Sequence, residues 1–394
     1  MMEVTTELLE GEGHETIPFA IREGSNPLTP WRSYFPSISD LRRQPLPSGA
    51  GGASPYSLPA RRRMLSLVRA ARPDIAHLHN VFGKLTLSIV DALDDEGVAV
   101  VLTLHDYKAV CPNGLLFTHD GICHRCLHGG RFWNAVRHCC SEGSRYSSLI
   151  SAAEAYVNRF RRTLMKVAAF IAPSEFMRGI IVSAGLPSQR VYVLPNPAKA
   201  LAAPRSGLGS NPYFLYSGRL VRGKGLDVLL SAAHLMNVDE RIFLYGAGPL
   251  EERLRDEIKR QRLPIEICGY GPKRLIAEML DGCTALLLPS LWYENCPMAI
   301  LEAAGRGVAS VVSDLGGMKE LVSHRQSGLL FPPGDARSLA SCLDELARRP
   351  EWALELGREA WAHVRKRHDP AAHLQGLMTI YEEARARRSG PLSA

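Results

Sequence analysis

From about Asp74 the chain alternates short apolar runs with amphipathic stretches of helical periodicity. The apolar runs IAHLHN, VAVVLTLHD, AAFIAPSEF and VYVLPN have the length of strands. The periodic stretches between them predict helices over Leu85–Leu93, Ser151–Val167 and Met177–Ala184. The order strand, helix, strand predicts a parallel sheet with helical crossovers.

The alternation stops once and then restarts. Residues 197–212 lose periodicity and gather Pro, Gly, Ser and Ala, which is typical of a linker. Beyond them, YFLYSG, RIFLYGAG, IEICGYG, ALLLPS and ASVVSD each precede a helical pattern. We therefore predict an α/β fold with two doubly wound domains that face a cleft, over residues 1–197 and 213–370, followed by a C-terminal crossover helix at 371–394.

Two segments do not fit the alternation. Residues 45–60 are rich in Pro, Gly, Ser and Ala and predict a long mobile loop. Residues 107–145 form an irregular insertion that holds five of the nine cysteines. The remaining cysteines are scattered among apolar residues, where a thiol packs as a small hydrophobic group.

Composition narrows the class of protein. The hydrophobic fraction is 46%, no apolar run reaches the about 18 residues of a membrane span, and no secretory signal is visible. These features predict a cytoplasmic globular protein. The net charge of +7 is spread almost evenly over the two halves, which disfavours a nucleic-acid-binding domain.

Glycine-containing turns follow several of the predicted strands. SGRLVRGKG places Arg219 and Lys224 before a helix, where unpaired amides already favour an anion such as a diphosphate. A solvated basic turn is the alternative. Other strands also end at glycines through which a ligand could approach the backbone: Gly218, Gly246, Gly248 and Gly269.

The segment PSLWYENCPMAILEAAGRG carries two glutamates eight positions apart. Glu294 falls in the loop after a strand, and Glu302 falls in the second turn of the following helix. Such a pair suits hydrogen bonds to vicinal hydroxyls of a ribose and a hexose, and it also suits paired acid/base work. A surface Glu and a helix Glu without a ligand are the alternative. Backbone amides at the start of the helix would face a bound anion or sugar. The residues that form this helix start are Asn295, Cys296, Pro297 and Met298.

The order GRLVRGKG, GAGPL, PSLWYENCPMAILEAAGRGVASVVSDLGG and SGLLFPPGD resembles the C-terminal domain of glycosyltransferase family 4. LTLHDYKAVCPNG and APSEF resemble its N-terminal domain. The resemblance covers about residues 74–380. It implies a GT-B fold of two Rossmann-like domains, a nucleoside-diphosphate-sugar donor, retention of anomeric configuration and no catalytic metal.

The resemblance also implies a role for each matching residue. Arg219 and Lys224 would bind the diphosphate, and Glu302 the ribose. Glu294 would bind the donor sugar, and His105 would reach that sugar from the opposite domain. The family is thought to use the leaving phosphate, rather than an enzymic nucleophile, to assist deprotonation of the acceptor.

Two departures from the family pattern stand out. The chain begins with MMEVTTELLEGEGHE, inside the first expected helix, without the preceding strand and Gly-Gly loop. This predicts that the N-terminal domain lacks its first strand and that the chain binds donor but transfers poorly. PNPAK at 195–199 also replaces the more usual PNG and Asp.

The insertion contains Cys111, Cys123, Cys126 and Cys140 with the spacing C-x11-C-x2-C-x13-C. This pattern predicts a structural zinc site of four thiolates, and similar cysteines occur in the branch of the family that resembles capsule and exopolysaccharide transferases. Reduced thiols without metal are the alternative. Neighbouring residues could replace a ligand: His124, His128, His138 and Cys139.

The leading hypothesis is a transferase that builds a surface polysaccharide or glycolipid on a glycan or lipid-linked acceptor. The segment Ala155–Phe170 mixes cationic and apolar residues and is a candidate contact with the inner membrane face; a buried amphipathic helix is the alternative. A sugar-nucleotide epimerase on the same fold and a zinc-bearing nucleic-acid-binding protein are the competing functions.

Overall fold

The computed structural model describes residues 2–42, 54–198 and 203–389. The predicted loop at 45–60, the predicted linker at 197–212, the PNPAK segment and the C-terminal helix to 394 lie partly outside these ranges. The chain divides into two compact units, residues 1–194 with 373–394 and residues 195–372. Each unit contains its own parallel sheet.

The first unit contains short helices, a four-stranded sheet and a small hairpin. Its elements, in chain order, are α1 Met2–Gly11, α2 Ile38–Arg42, α3 Leu58–Ala71, β1 Ile75–His79, α4 Ser88–Asp95, β2 Ala99–Thr103, β3 Phe117–Thr118, β4 Gly121–Ile122, α5 Asn134–Arg137, α6 Arg145–Phe160, β5 Ala169–Ala172, α7 Glu175–Ser183 and β6 Val191–Val193.

The sheet of the first unit has the order β1-β2-β5-β6 and is parallel throughout. Every residue of β2 and β5 is buried, as expected for central strands with both faces covered. Within the described residues, no strand precedes β1. The carboxyl end of β2 leads directly to Leu104 and His105.

The second unit is a six-stranded doubly wound sheet. Its elements are β7 Tyr213–Ser217, α8 Leu226–Leu235, β8 Arg241–Tyr245, α9 Glu251–Gln261, β9 Ile265–Gly269, α10 Lys273–Gly282, β10 Ala285–Leu288, α11 Met298–Gly305, β11 Ala309–Ser313, α12 Met318–Leu321, β12 Gly328–Phe331, α13 Ala336–Arg348 and α14 Pro350–Arg367. The strand order is β12-β11-β10-β7-β8-β9, all parallel. Helices cover both faces, so the core forms two apolar clusters on opposite sides of the sheet.

The last helix, α15 Pro370–Ser389, belongs to the first unit from His373 onward. Its apolar residues Leu377, Ile380 and Ala384 are buried against β2 and β5. The predicted C-terminal helix is therefore an integral part of the N-terminal core. No helix among the described residues is long and apolar enough to span a membrane.

One predicted helix is misplaced. The pattern predicted a helix over Ser151–Val167, but α6 begins at Arg145 and ends at Phe160. Ser144 caps the start of α6 by accepting a hydrogen bond from the Ser147 amide, and Arg162 ends the helical path with a φ of +52°. The segment Ala155–Phe170 is therefore not one amphipathic helix, because its last two residues lie in the buried strand β5.

Candidate active site

The predicted donor-binding residues lie where the strand order of the second sheet reverses, hereafter the switch point. Successive strands run outward from β7 in one direction and from β10 in the other. The loops after these two adjacent strands therefore diverge, and open α/β sheets bind ligands in the crevice that results. The loop after β7 carries Arg219 and Lys224, and the loop after β10 carries Glu294.

Glycines allow these two loops to come into contact, because a side chain at these positions would clash with the opposite loop. Gly225 has a φ of +69°, and a Cβ there would stand 1.8 Å from the Pro289 carbonyl oxygen. A Cβ on Gly223 would stand 2.1 Å from the Trp292 ring. The Leu291 amide donates to the Gly223 carbonyl at 2.8 Å. A side chain at either glycine would separate the loops.

Glu294 is fixed by three donors to one oxygen. Its Oε1 accepts from Lys224 Nζ at 2.6 Å, from Ser290 Oγ at 2.7 Å and from Trp292 Nε1 at 2.7 Å. The Lys224 and Glu294 side chains are 13% and 12% exposed, so water screens their charges only weakly. The pair is a rigid, charged feature at the switch point of the sheet.

Arg219 also lies near the Trp292 indole. Its guanidinium carbon is 5.8 Å from a ring centre of Trp292, and Lys224 Nζ is 5.6 Å from it. Tyr216 donates its hydroxyl to the Arg219 carbonyl at 2.8 Å and so fixes the backbone of the turn. Arg219 itself is exposed. Two cations therefore lie near one aromatic ring, an arrangement that can hold a diphosphate.

Two of the other predicted glycines lie where the turn after β8 meets the turn after β7. A Cβ on Gly246 would stand 1.9 Å from the Gly218 carbonyl oxygen, and one on Gly248 would stand 2.4 Å from the Leu220 carbonyl oxygen. The turns after β7 and β8 therefore pack backbone against backbone. Gly269 differs, because its φ is +74° but a Cβ there would meet no described atom within 4 Å.

The start of α11 presents backbone amides. Pro297 is its N-cap and supplies no side-chain hydrogen bond to the first turn. The preceding Cys296 is buried, which raises the pKa of its thiol to about 12 and makes it an apolar packing group at neutral pH. Glu302 lies in the second turn of α11 and is exposed.

Gly316 and Gly317 follow β11 and contact the loop that carries Glu294 and Asn295. The Gly317 amide donates to the Glu294 carbonyl at 2.7 Å. A Cβ on Gly317 would stand 1.8 Å from the Asn295 carbonyl oxygen, and Gly316 has a φ of +63°. A diglycine is therefore required where β11 ends, so that the Glu294 loop can lie directly on it.

His105 in the first unit belongs to a chain of histidines that the sequence did not bring together. His79 Nδ1 and His105 Nε2 are 2.8 Å apart. His77, two residues earlier on β1, contacts Tyr381 Oη at 2.7 Å and Thr103 Oγ1 at 2.6 Å. Burial lowers the pKa of His105 to about 4 and that of His79 to about 3, so both imidazoles are neutral at pH 7.

The four predicted metal ligands lie together in the first unit. Cys111, Cys123, Cys126 and Cys140 all line one cavity of about 10 Å³, hereafter the four-thiol cavity. None of the neighbouring candidates His124, His128, His138 and Cys139 lines it.

Two family models match this chain. One, described as Glycosyltransferase Family 4, matches residues 2–199, and the other, described as Glycosyl transferases group 1, matches residues 203–362. The chain belongs to glycosyltransferase family 4.

Curated relatives match parts of this family 4 chain. The putative colanic acid biosynthesis glycosyltransferase WcaL of Salmonella typhimurium is 36% identical over 147 residues, which cover 35% of this chain and 36% of that protein. The amylovoran biosynthesis glycosyltransferase AmsK of Erwinia amylovora is 32% identical over 181 residues, 43% of this chain and 44% of that protein. The chain thus spans less than half the length of these two relatives.

Solved structures match far more of the family 4 chain. Sucrose-phosphate synthase from Thermosynechococcus elongatus has a TM-score of 0.68 and 16% identity, covering 98% of this chain and 93% of that one. HepE from Anabaena, solved in complex with UDP, has a TM-score of 0.59 and 18% identity, covering 82% of each chain. These likenesses show the fold, which is GT-B.

Several residues that contact the predicted site residues were not singled out from the sequence. Ser290 and Trp292 donate to Glu294, the diglycine supports its loop, and His79 contacts His105. They lie in segments for which the sequence predicted a strand or a loop but no particular contact. Ser290 and Trp292 lie within four residues of Glu294, but their contacts depend on how that loop folds, and His79 meets His105 because β1 and β2 are paired.

Proposed function

We propose that this chain transfers a sugar from a nucleoside-diphosphate sugar to a glycan or lipid-linked acceptor, with retention of anomeric configuration, in the synthesis of a surface polysaccharide or glycolipid. The observation that carries the proposal is the Lys224–Glu294 pair at the switch point, held by Ser290 and Trp292. The names of the relatives, colanic acid and amylovoran biosynthesis transferases, support the polysaccharide.

In the proposed site, different residues of the second unit bind different parts of the donor. Arg219 and Lys224 neutralise the diphosphate, whose negative charge grows as it leaves, and the first amides of α11 add to this field. Glu302, exposed on α11, accepts from the ribose hydroxyls. Glu294 accepts from hydroxyls of the donor sugar, because Lys224 and Trp292 hold its carboxylate in one orientation.

The proposed reaction needs no nucleophile from the protein. The bond between the anomeric carbon and the β-phosphate oxygen breaks, and the acceptor oxygen bonds to the same face of that carbon. The acceptor proton passes to the leaving phosphate, and a nucleoside diphosphate is released. His105, neutral at pH 7, contributes a hydrogen bond to a donor-sugar hydroxyl rather than a positive charge.

A cavity of about 260 Å³ in the first unit supports a lipid-linked acceptor. Three cations lie at its edge, Lys108, Arg159 and Arg162, and they suit the phosphate of such a lipid. Its walls are mainly apolar and suit part of the lipid chain. The apolar wall residues include Phe82, Leu127, Phe132, Leu164, Met165 and Leu186.

An exposed apolar face lies beside this cavity. Tyr146, Leu149, Tyr156 and Phe160 recur along α6 at helical spacing and are 40–91% exposed. We call these four residues the aromatic face. Exposed arginines border it on α6 and just beyond, at Arg145, Arg159, Arg161 and Arg162. Aromatic and cationic side chains side by side suit the headgroup layer of an anionic membrane, so we place this face on the inner membrane surface.

Nucleotide binding by single-charge variants tests the donor assignment. Arg219→Ala and Lys224→Ala should each weaken binding of UDP, or of whichever nucleoside diphosphate the parent binds, by about 10- to 100-fold, because each removes a charge-assisted contact. Arg274→Ala on α10 is the matched control, since Arg274 is 89% exposed and lies outside both loops. Titration calorimetry across UDP, GDP, ADP and TDP measures the effect. Parent-like affinity in both variants would contradict the assignment.

A further inference from the structure

The insertion at residues 107–145 has very little regular structure to hold it together. Its described elements are the two-residue strands β3 and β4 and the one-turn helix α5. Its apolar cluster is small and is built around Cys126, Phe132 and Ala135. A segment of this kind needs a cross-link or a metal to be as ordered as the surrounding sheet.

Four thiols from three separate stretches meet inside this insertion. Cys111 lies in the turn after β2, Cys123 and Cys126 follow β4, and Cys140 follows α5. All four line the four-thiol cavity, whose volume of about 10 Å³ has room for a single small guest. An iron–sulfur cluster, with several irons and sulfides, would not fit.

Asn113 ties the first and last of these stretches together. Its Nδ2 donates to the Phe117 carbonyl at 2.8 Å and to the Cys140 carbonyl at 3.2 Å. Its Oδ1 accepts from the Leu115 amide at 2.9 Å and from the Cys111 thiol at 3.0 Å. One side chain therefore links the Cys111 thiol to the backbone of Cys140, as outer-layer residues do around metal ligands.

Burial raises the pKa of the Cys111, Cys126 and Cys140 thiols, but a few donors lie close to the sulfurs and favour their charged form. Backbone amides of Asn113, Gly114 and Leu116 hydrogen-bond the Cys111 sulfur. The Arg125 guanidinium lies 3.7 Å from Cys123 Sγ and supplies a positive charge at the rim. Four thiolates and one divalent cation carry a net charge of −2, and these donors would partly offset it.

We propose that Cys111, Cys123, Cys126 and Cys140 bind one structural Zn²⁺ as four thiolates. Binding replaces four S–H bonds by four Zn–S bonds of about 2.3 Å and releases four protons to solvent. Among the residues that the structure describes, no group of three His, Cys, Asp or Glu side chains is arranged to hold a metal ion. The four thiols must therefore turn inward together, and the ion closes the insertion as they do.

The zinc site has a consequence for the neighbouring cavity. Cys126 lines both the four-thiol cavity and the 260 Å³ cavity, whose wall continues through Leu127, Gly129, Gly130 and Phe132. The ion would hold that wall in place. It has no open coordination position for water, so it takes no part in the transfer reaction, and donor binding by the second unit does not depend on it.

Metal analysis of the purified full chain, with a matched pair of cysteine variants, tests the proposal. The parent should carry about one zinc per chain by elemental analysis. Cys140→Ser should lose nearly all of it. Cys139→Ser is the control, since Cys139 is adjacent in sequence but does not line the four-thiol cavity, and its thiol donates to the Val136 carbonyl. Equal zinc in Cys140→Ser and the parent would overturn the assignment.

A second measurement uses the parent alone, so that it tests the proposal even where a cysteine variant fails to fold. Replacing the zinc by Co²⁺ should give the intense visible bands of a tetrahedral site and a thiolate-to-cobalt charge-transfer band. Titration of the thiols with an organomercurial should release one zinc as four thiols react. A parent that has no zinc and shows no cobalt bands would overturn the proposal, and so would iron with inorganic sulfide in its place.

Discussion

Trp292 combines two roles that one substitution can separate. Its ring packs over Gly223 and lies near two cations, and its Nε1–H donates to Glu294. A phenylalanine keeps a ring but cannot donate this hydrogen bond. The carboxylate of Glu294 would then be held by two donors rather than three.

We therefore expect Trp292→Phe to slow sugar transfer about tenfold while changing nucleotide affinity much less, because Glu294 is proposed to contact the sugar. Steady-state kinetics and calorimetry separate the two effects. Trp352→Phe is the control, since that indole packs against Arg325 and Arg349 in the same unit. Equal behaviour of the two variants would argue against a role for the indole donor.

The histidine chain predicts a particular dependence of stability on pH. Burial lowers the pKa of His79 to about 3 and that of His105 to about 4, both below the about 6.5 of an unfolded histidine. Between pH 6.5 and 4 the unfolded state therefore binds more protons than the folded one. The free energy of unfolding should fall as the pH is lowered through this window.

Comparing a variant with the parent isolates this effect from that of the carboxylates. His79→Asn should lose less stability than the parent between pH 7 and pH 5, when unfolding of the first unit is followed in denaturant. His14→Asn, at an exposed histidine near the N-terminus, should behave like the parent. A parent-like pH slope in His79→Asn would mean that His79 is not held neutral in the folded state.

At the scale of elements, glycines decide whether the loops of the switch point can meet. Gly225 ends the turn before α8 and Gly269 ends β9, and both have a positive φ, +69° and +74°. An added Cβ would meet the Pro289 carbonyl at Gly225 but no described atom within 4 Å at Gly269. The two positions therefore separate steric clash from backbone strain.

We expect Gly269→Ala to lower the free energy of unfolding of the second unit by about 1–2 kcal/mol, the cost of the strained backbone. Gly225→Ala should cost clearly more and should also weaken nucleotide binding, because the loops after β7 and β10 must move apart. Urea unfolding and calorimetry measure both. Equal losses in the two variants would show that loop contact is unimportant.

The sequence predicted elements better than their contacts. Buried strands such as β2 and β10 are continuous apolar runs, so their positions could be read directly. The helix α6 was misplaced because four of its large apolar residues face outward and give no core pattern. One hydrogen-bond donor to Glu294, Lys224, lies seventy positions earlier in the chain, and another, Trp292, lies in the same loop. Such contacts depend on the tertiary fold.

At the scale of the whole molecule, the aromatic face predicts how the enzyme meets its acceptor. Tyr156→Ser with Phe160→Ser should reduce cosedimentation with phosphatidylglycerol vesicles several-fold, because the variant removes apolar area and leaves the arginines. Leu28→Ser is the control, as Leu28 is 94% exposed but lies outside the face. Loss of binding in both variants, or in neither, would contradict a membrane role for the aromatic face.

Retaining transfer from a nucleoside-diphosphate sugar can be followed through the products of the reaction. The full chain is incubated with UDP-sugars, then with GDP-, ADP- and TDP-sugars, together with a membrane lipid fraction as acceptor. Nucleoside diphosphate release is followed, and the anomeric configuration of the product is read by NMR. We expect release from one donor class, a product with the donor's configuration, and loss of both in Lys224→Ala. A product of inverted configuration, or an epimerised donor with no nucleoside diphosphate released, would contradict the proposed transfer.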